Sequence, residues 1–170
     1  MASSERTLIA RSIATGISPE MEVLEIESES QLLESALDTR IKFVDLNGDG
    51  IPEVIAQGLV DCSPTGNCSF WIFQKTPTGY RLLLDGFGQT FTIQRSKTNG
   101  FHDIVVSMHG SATESRLTDF RFEDGHYVEV GCYYANWAVL DGNEIHELKE
   151  PQISPCRERD DSKSRRALVR

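Results

Sequence analysis

"FVDLNGDGIPEVIAQG", residues 43–58, decides how the rest of the chain is read. Apolar runs, "FV" before and "VIA" after, flank a loop that holds Asp45, Asn47, Asp49 and Glu53 within nine positions. β-Branched and aromatic runs of this kind favour strands, so the unit is strand, loop, strand. Oxygen-bearing side chains at alternate positions suit a hard cation. Asp45, Asn47 and Asp49 stand at loop positions one, three and five, and Gly50 allows the sharp turn. The Ile51 carbonyl can face inward at position seven, and Glu53 closes the set at position nine. A flexible all-oxygen loop favours Ca²⁺ over Mg²⁺, which demands a stricter octahedron. Softer metals prefer Cys or His, which the loop lacks.

An EF-hand needs a bidentate acid at position twelve, where this chain has Ala56, and it needs flanking helices. The pattern instead resembles the calcium-binding element of FG-GAP repeats, as in integrin alpha propellers and bacterial VCBS-type repeat proteins. Those carry Asp-x-Asx-x-Asp-Gly-x-x-Asp/Glu before an apolar strand. The resemblance spans residues 43–58 and implies that Asp45, Asn47, Asp49, Ile51 (by its carbonyl) and Glu53 hold calcium. Position nine is Glu where Asp is commoner, and several further repeats are missing. The wider pattern, "CSPTGNCSFWIF" and "GYRLLLDGFGQTF", resembles small bacterial exported proteins of unassigned function. The competing interpretation of the loop is a set of Asx turns that holds no ion.

Outward from the loop, a weak repeat emerges. "NGDGIPEVIA" (47–56) and "TNGFHDIVVS" (98–107) align Gly50 with Gly100 and Glu53 with Asp103. "FWIFQKTPTGYRL" and "LTDFRFEDGHYVEV" then share an aromatic strand, a Gly-containing turn and a Tyr. In the second copy Arg95, Lys97 and Asn99 stand where the first has Asp45, Asn47 and Asp49, so that copy should hold no cation. From residue 41 onward short apolar or alternating runs are separated by turn signals, among them Asp124-Gly125 and Asp141-Gly142. The expected fold is mainly β (α+β): an antiparallel meander of eight to ten strands with blade-like duplicated sheet units. Short helices are expected in front, over residues 4–15 and within 20–38. Residues 1–156 form one β-rich domain with a helical lead-in at 1–38, and residues 157–170 a flexible basic tail.

The chain has 170 residues, enough for one sizeable core. Its net charge is -9, and the tail carries six basic and three acidic groups, so residues 1–156 carry -12. An acidic body repels nucleic acid and anionic membrane, and no apolar run is long enough for insertion as a helix. Cys62, Cys68, Cys132 and Cys156 permit two disulfides. Cys62 and Cys68 bracket the turn-forming "SPTGN", so a local clip is plausible chemistry, and Cys132 with Cys156 would fasten the C-terminal segment. Three connectivities are possible in principle. Paired cysteines point to a periplasmic or secreted protein. The first 15 residues are too polar for a signal peptide, so the expectation is a chain from which it is absent.

Catalytic signatures are missing. "HELKE" at His146 lacks the second His of a zincin, and no Gly-x-Ser-x-Gly elbow or phosphate-binding loop occurs. His109 beside Glu114 or Asp103 is the one acid–base combination of interest. Phe70, Trp71, Phe73 and Phe91 read as core, whereas Tyr133, Tyr134 and Trp137 at an expected strand end could form a sugar- or protein-binding patch. The favoured function is therefore an exported, non-enzymatic, calcium-binding module for an unknown protein or glycan. An inhibitor or immunity-type protein of a secreted hydrolase is the alternative, and a hydrolase using His109 the third. Oligomeric state is open.

Overall fold

A computed structural model of the chain describes Ile9 and residues 39–59, 62–141 and 144–156. Ile9 is helical. The rest of the expected lead-in helices, the basic tail and Gly142 of the Asp141-Gly142 turn lie outside the described residues.

Among the described residues nine strands form two antiparallel sheets. The first contains β1 (Thr39–Val44), β2 (Glu53–Gly58), β3 (Cys68–Thr76) and β4 (Gly79–Gly88). The second contains β5 (Thr90–Thr98), β6 (Phe101–His109), β7 (Glu114–Glu123), β8 (His126–Asp141) and β9 (Glu144–Pro155). Each is a plain meander, with neighbours in sequence also neighbours in space. The expected single meander is thus cut in two between β4 and β5. Gly88 marks the cut. A Cβ there would meet Val106 Cγ1 at 2.6 Å and the Ser107 carbonyl oxygen at 3.1 Å, so only glycine lets the chain pass so close to β6. Gln89 N then donates to Ser107 O at 2.8 Å, and the second sheet begins.

The two sheets share one feature of pairing. In the first sheet the β3–β4 register shifts after Ile72↔Leu84, because Phe73 faces Leu82 and Leu83 is extra. In the second, Asp119 faces Gly131, Phe120 faces Glu129 and Val130 is extra. Both bulges lie the same number of residues before a hairpin turn, at Phe73 and Phe120. Bulges bend and twist a strand locally, so both sheets curve at matching places.

The main core lies between the sheets. Ile55, Phe70, Ile72, Leu83 and Leu84 meet Phe101, Ile104, Val106, Phe122 and Tyr127. Phe101 and Phe122 stack with centroids 3.9 Å apart, and Tyr127 presents its ring edgewise to both. The Tyr127 hydroxyl donates to the His102 carbonyl at 2.9 Å, which satisfies its one polar atom. The alternate residues of β2 and β3, Val54, Ala56, Trp71 and Phe73, face the other way and bury Ile9 completely. Covering an isoleucine in this way contributes about 1.5–3 kcal/mol. The first sheet is therefore apolar on both faces, which explains the unbroken "VIA" and "FWIF" runs.

β8 corrects the sequence reading at one point. Tyr133, Tyr134 and Trp137 do not sit at a strand end. They lie within one 16-residue strand that runs past β7 and continues with β9 alone as a two-stranded arm. At its tip Leu140 faces Ile145, and these side chains are 72% and 70% exposed.

Candidate metal centre

The loop between β1 and β2 folds around its own acids. Asp45 accepts the Gly48 amide at 2.6 Å on one oxygen and the Gly50 amide at 3.0 Å on the other. Asn47 Oδ1 accepts the Asp49 amide at 2.8 Å, and Asp49 Oδ1 accepts the Ile51 amide at 2.7 Å. These are Asx turns in series, made possible because Gly48 and Gly50 take φ of 85° and 83°. The Gly48 amide, seconded by the Gly50 amide, holds the Asp45 carboxyl below its ordinary value, although partial desolvation opposes this.

Glu53 differs from the other acids. It is 1% exposed, at the first position of β2, on the same strand face as core residue Ile55. Its Oε2 accepts the Leu46 amide at 2.8 Å, which ties the closing acid to the loop's own backbone. Its Oε1 has only two long amide contacts, from Asn47 Nδ2 and Gln74 Nε2, both at 3.5 Å. Burial pushes the Glu53 carboxyl up, and the charges of Asp49 and Asp45 push the same way, against the Leu46 amide. A buried carboxylate is costly without an opposite charge, and among the described residues the charges acting on it are those of Asp49 and Asp45.

The donor set fits Ca²⁺ by its chemistry. All the candidate atoms are oxygens: the side chains of Asp45, Asn47, Asp49 and Glu53, and the Ile51 carbonyl. A carboxylate offers about four acceptor sites, so Asp45 and Asp49 can receive amides and still face a cation. The amino group of Asn47 donates to Asp49 Oδ2 at 2.9 Å and points towards Glu53, so an incoming ion must displace it. Among the described residues no group of three or more His, Cys, Asp or Glu side chains is drawn together as a ready metal cage. The loop is ordered by backbone amides rather than by converging carboxylates.

Two partners come from strands that sequence spacing does not connect to the loop. Lys97 on β5 donates to the Asn47 carbonyl at 3.2 Å, and Gln74 on β3 reaches Glu53 while accepting from Arg81 at 2.6 Å. His102 N also donates to Leu46 O at 2.8 Å, so the loop rests on the start of β6.

The sister segment is built differently. Residues 99–100 form a two-residue turn, Asn99 at φ 48° and Gly100 at φ 88°, and Thr98 pairs with Phe101 across it. Arg95 and Lys97 belong to the strand β5. The aligned segment is thus strand and tight turn where the first has a loop. Asp103, aligned with Glu53, has a buried oxygen with no hydrogen-bond partner.

Both cysteine pairs form, Cys62 with Cys68 and Cys132 with Cys156. The first closes a loop pinned by Asn67, which is 4% exposed. Its side chain accepts from His109 N at 2.7 Å and donates to His109 O at 2.9 Å, so it extends β6 by one mock rung. Thus the backbone of His109 is bound. Asp103 lies six residues away on the same strand, roughly 20 Å at the usual rise. The Glu114 carboxylate lies over Gly110. Among the described residues no hydrogen bond or ion pair joins the His109 ring to either acid. Comparison with protein-family models, with curated proteins and with solved structures finds no match.

Proposed function

We propose that residues 45–53 hold one Ca²⁺ and that the protein is an exported, non-enzymatic, calcium-stabilised β module that binds a protein or a glycan. Glu53 carries the calcium reading: a carboxylate 1% exposed, with Asp45 and Asp49 as the charges that raise it. A divalent ion would reverse that balance. Asp45, Asn47, Asp49 and Glu53 would bind it through side chains and Ile51 through its carbonyl. The ion supplies positive charge and ties the end of β1 to the start of β2, so its role is structural. Two disulfides are compatible with an oxidising compartment.

The partner reading draws on the β8–β9 arm. Trp137, Leu140 and Ile145 are exposed there, among Asp141, Glu144, Glu147 and Glu150. An acidic, apolar-tipped arm also suits the inhibitor reading, in which it would enter a basic cleft of a hydrolase. Salt separates the two, since a largely electrostatic complex weakens steeply as salt rises.

Titration calorimetry tests the metal. Ca²⁺ added to chelator-stripped protein should give one site per chain, and Asp45→Asn with Asp49→Asn should remove the heat. A parent protein that gives no heat and no change in stability would end the calcium reading.

A further inference from the structure

We propose that the Cys132–Cys156 disulfide is a thiol-exchangeable latch on the edge strand β9, opened by attack on Cys156, with Cys132 leaving as a thiolate held by Arg116. This is independent of the calcium loop.

The placement of the bridge makes it a latch. Among the described residues β9 ends the second sheet and pairs with β8 alone. Cys156 follows its last residue and donates its amide to the Cys132 carbonyl at 2.9 Å, so the two cysteines face one another across the strand pair. The β8–β9 register breaks between Asn136 and Ala138, which sets the rungs from Gln152 to Pro155 apart as a short terminal segment. Pro151 and Pro155 have no amide to give, so the segment makes few ladder bonds of its own. Without the covalent tie it should fray from β8.

The chemistry is directional because of Arg116. On β7, Arg116 is opposite Tyr134 and Thr118 is opposite Cys132, so Arg116 and Cys132 are diagonal neighbours on one face. Its Nε donates to Cys132 Sγ at 3.0 Å, while its NH2 meets Glu129 at 3.5 Å. A guanidinium at this distance stabilises a thiolate, and the sulfur that bears the charge more easily leaves faster. Both cysteines are partly exposed, so small thiols can reach the bridge.

The other bridge has the opposite surroundings. Cys62 Sγ lies 3.8 Å from the Gly58 carbonyl oxygen and Cys68 Sγ 3.6 Å from that of Gly66. Cys62 is exposed, so a thiol can reach this bridge too, but the sulfur that would leave, Cys68 Sγ, is buried beside a carbonyl oxygen, which repels a developing thiolate. Among the described residues no cationic side chain contacts either sulfur.

The step balances with a thiol as co-reactant. An incoming thiolate forms a bond to Cys156 Sγ, the Cys132–Cys156 bond breaks, and its electron pair leaves on Cys132 Sγ beside Arg116. A second thiolate, the other arm of a dithiol or a second monothiol, attacks the mixed disulfide at the reagent's sulfur. Cys156 is then released as a thiolate that takes a proton from water, and the reductant is oxidised to its disulfide.

The full oxidised chain should be treated with glutathione, and separately with dithiothreitol, then alkylated and mapped by mass spectrometry over time. The expected results are opening of Cys132–Cys156 at least about 3-fold faster than Cys62–Cys68, and a glutathione adduct on Cys156. Arg116→Gln should slow that opening about 3-fold and leave Cys62–Cys68 unchanged, while Arg116→Lys keeps most of the parent rate. Glu129→Gln, which relieves Arg116 of its competing anion, should not slow it. Opening of Cys62–Cys68 first, an adduct on Cys132, or a parent-like rate in Arg116→Gln would each overturn the proposal.

Discussion

The β1–β2 and β5–β6 connections each join the first two strands of a sheet and do opposite things. The first is an eight-residue loop, Asp45 to Pro52, whose acids are folded inward onto backbone amides and which ends on a buried Glu53. The second is Asn99-Gly100, two residues at positive φ that join their strands by the shortest route. Lys97 and His102 of the second then donate to the Asn47 and Leu46 carbonyls of the first. One connection is a polar loop with excess negative charge, and the other is the platform beneath it. The two sheets thus share strand order and bulge position and differ in their turns, because strands are fixed by the core and turns are not.

The sharpest way to break this comparison is to delete the aligned acids. Glu53→Ala should destabilise the fold by about 2–4 kcal/mol, since it opens a cavity and leaves the Leu46 amide without its acceptor. Asp103→Ala should stay within about 1 kcal/mol, because one of its oxygens is already buried without a partner. Urea unfolding of both variants checks the contrast, and equal losses would contradict it.

Cross-links give the next largest effect. Chain entropy assigns about 3.5 kcal/mol to Cys132–Cys156, which closes a separation of 24, and about 2.4 kcal/mol to Cys62–Cys68, with a separation of 6. Serine pairs replacing each bridge should lower the unfolding midpoint in that order. A reversed order would mean that the Asn67-pinned loop matters more to the fold than the strap on β9.

Lys97→Met should have the smallest effect. Lys97 is exposed, and removing its charge from beside the loop should tighten calcium by about 2- to 5-fold, within the range for a screened surface charge. Calorimetry of this variant against the parent measures it, and weaker binding would mean that Lys97 organises the loop rather than opposing the ion.

Much of this was legible in the residues. The strand-flanked character of 43–58 and the Asp124-Gly125 hairpin with both residues at positive φ follow from local chemistry, and the cysteine count allows two disulfides while leaving open which of three connectivities forms. The Asn99-Gly100 hairpin carries an equally plain signal, an Asn-Gly pair between two strand runs. The division into two sheets was hidden because a meander pattern does not record where the chain changes layer. That depends on Gly88 meeting β6, a contact between distant residues. Tyr133, Tyr134 and Trp137 are expected from the sequence at a strand end, whereas β8 runs on to Asp141 because β9, a distant segment, pairs with its far half. The surroundings of the loop, Gln74 and Lys97, and the Arg116–Cys132 contact arise from strand register, which local spacing does not encode.

The most direct test of the central claim is the thermal midpoint of the parent chain in about 1 mM Ca²⁺ against a chelator. A site with a dissociation constant near 10 μM would add about 2.7 kcal/mol, and at this chain length that raises the midpoint by roughly 5–10 °C. The same comparison in Asp45→Asn/Asp49→Asn should show no rise. A parent midpoint that does not move with calcium would contradict the account, leaving residues 45–53 as a loop held by its own amides.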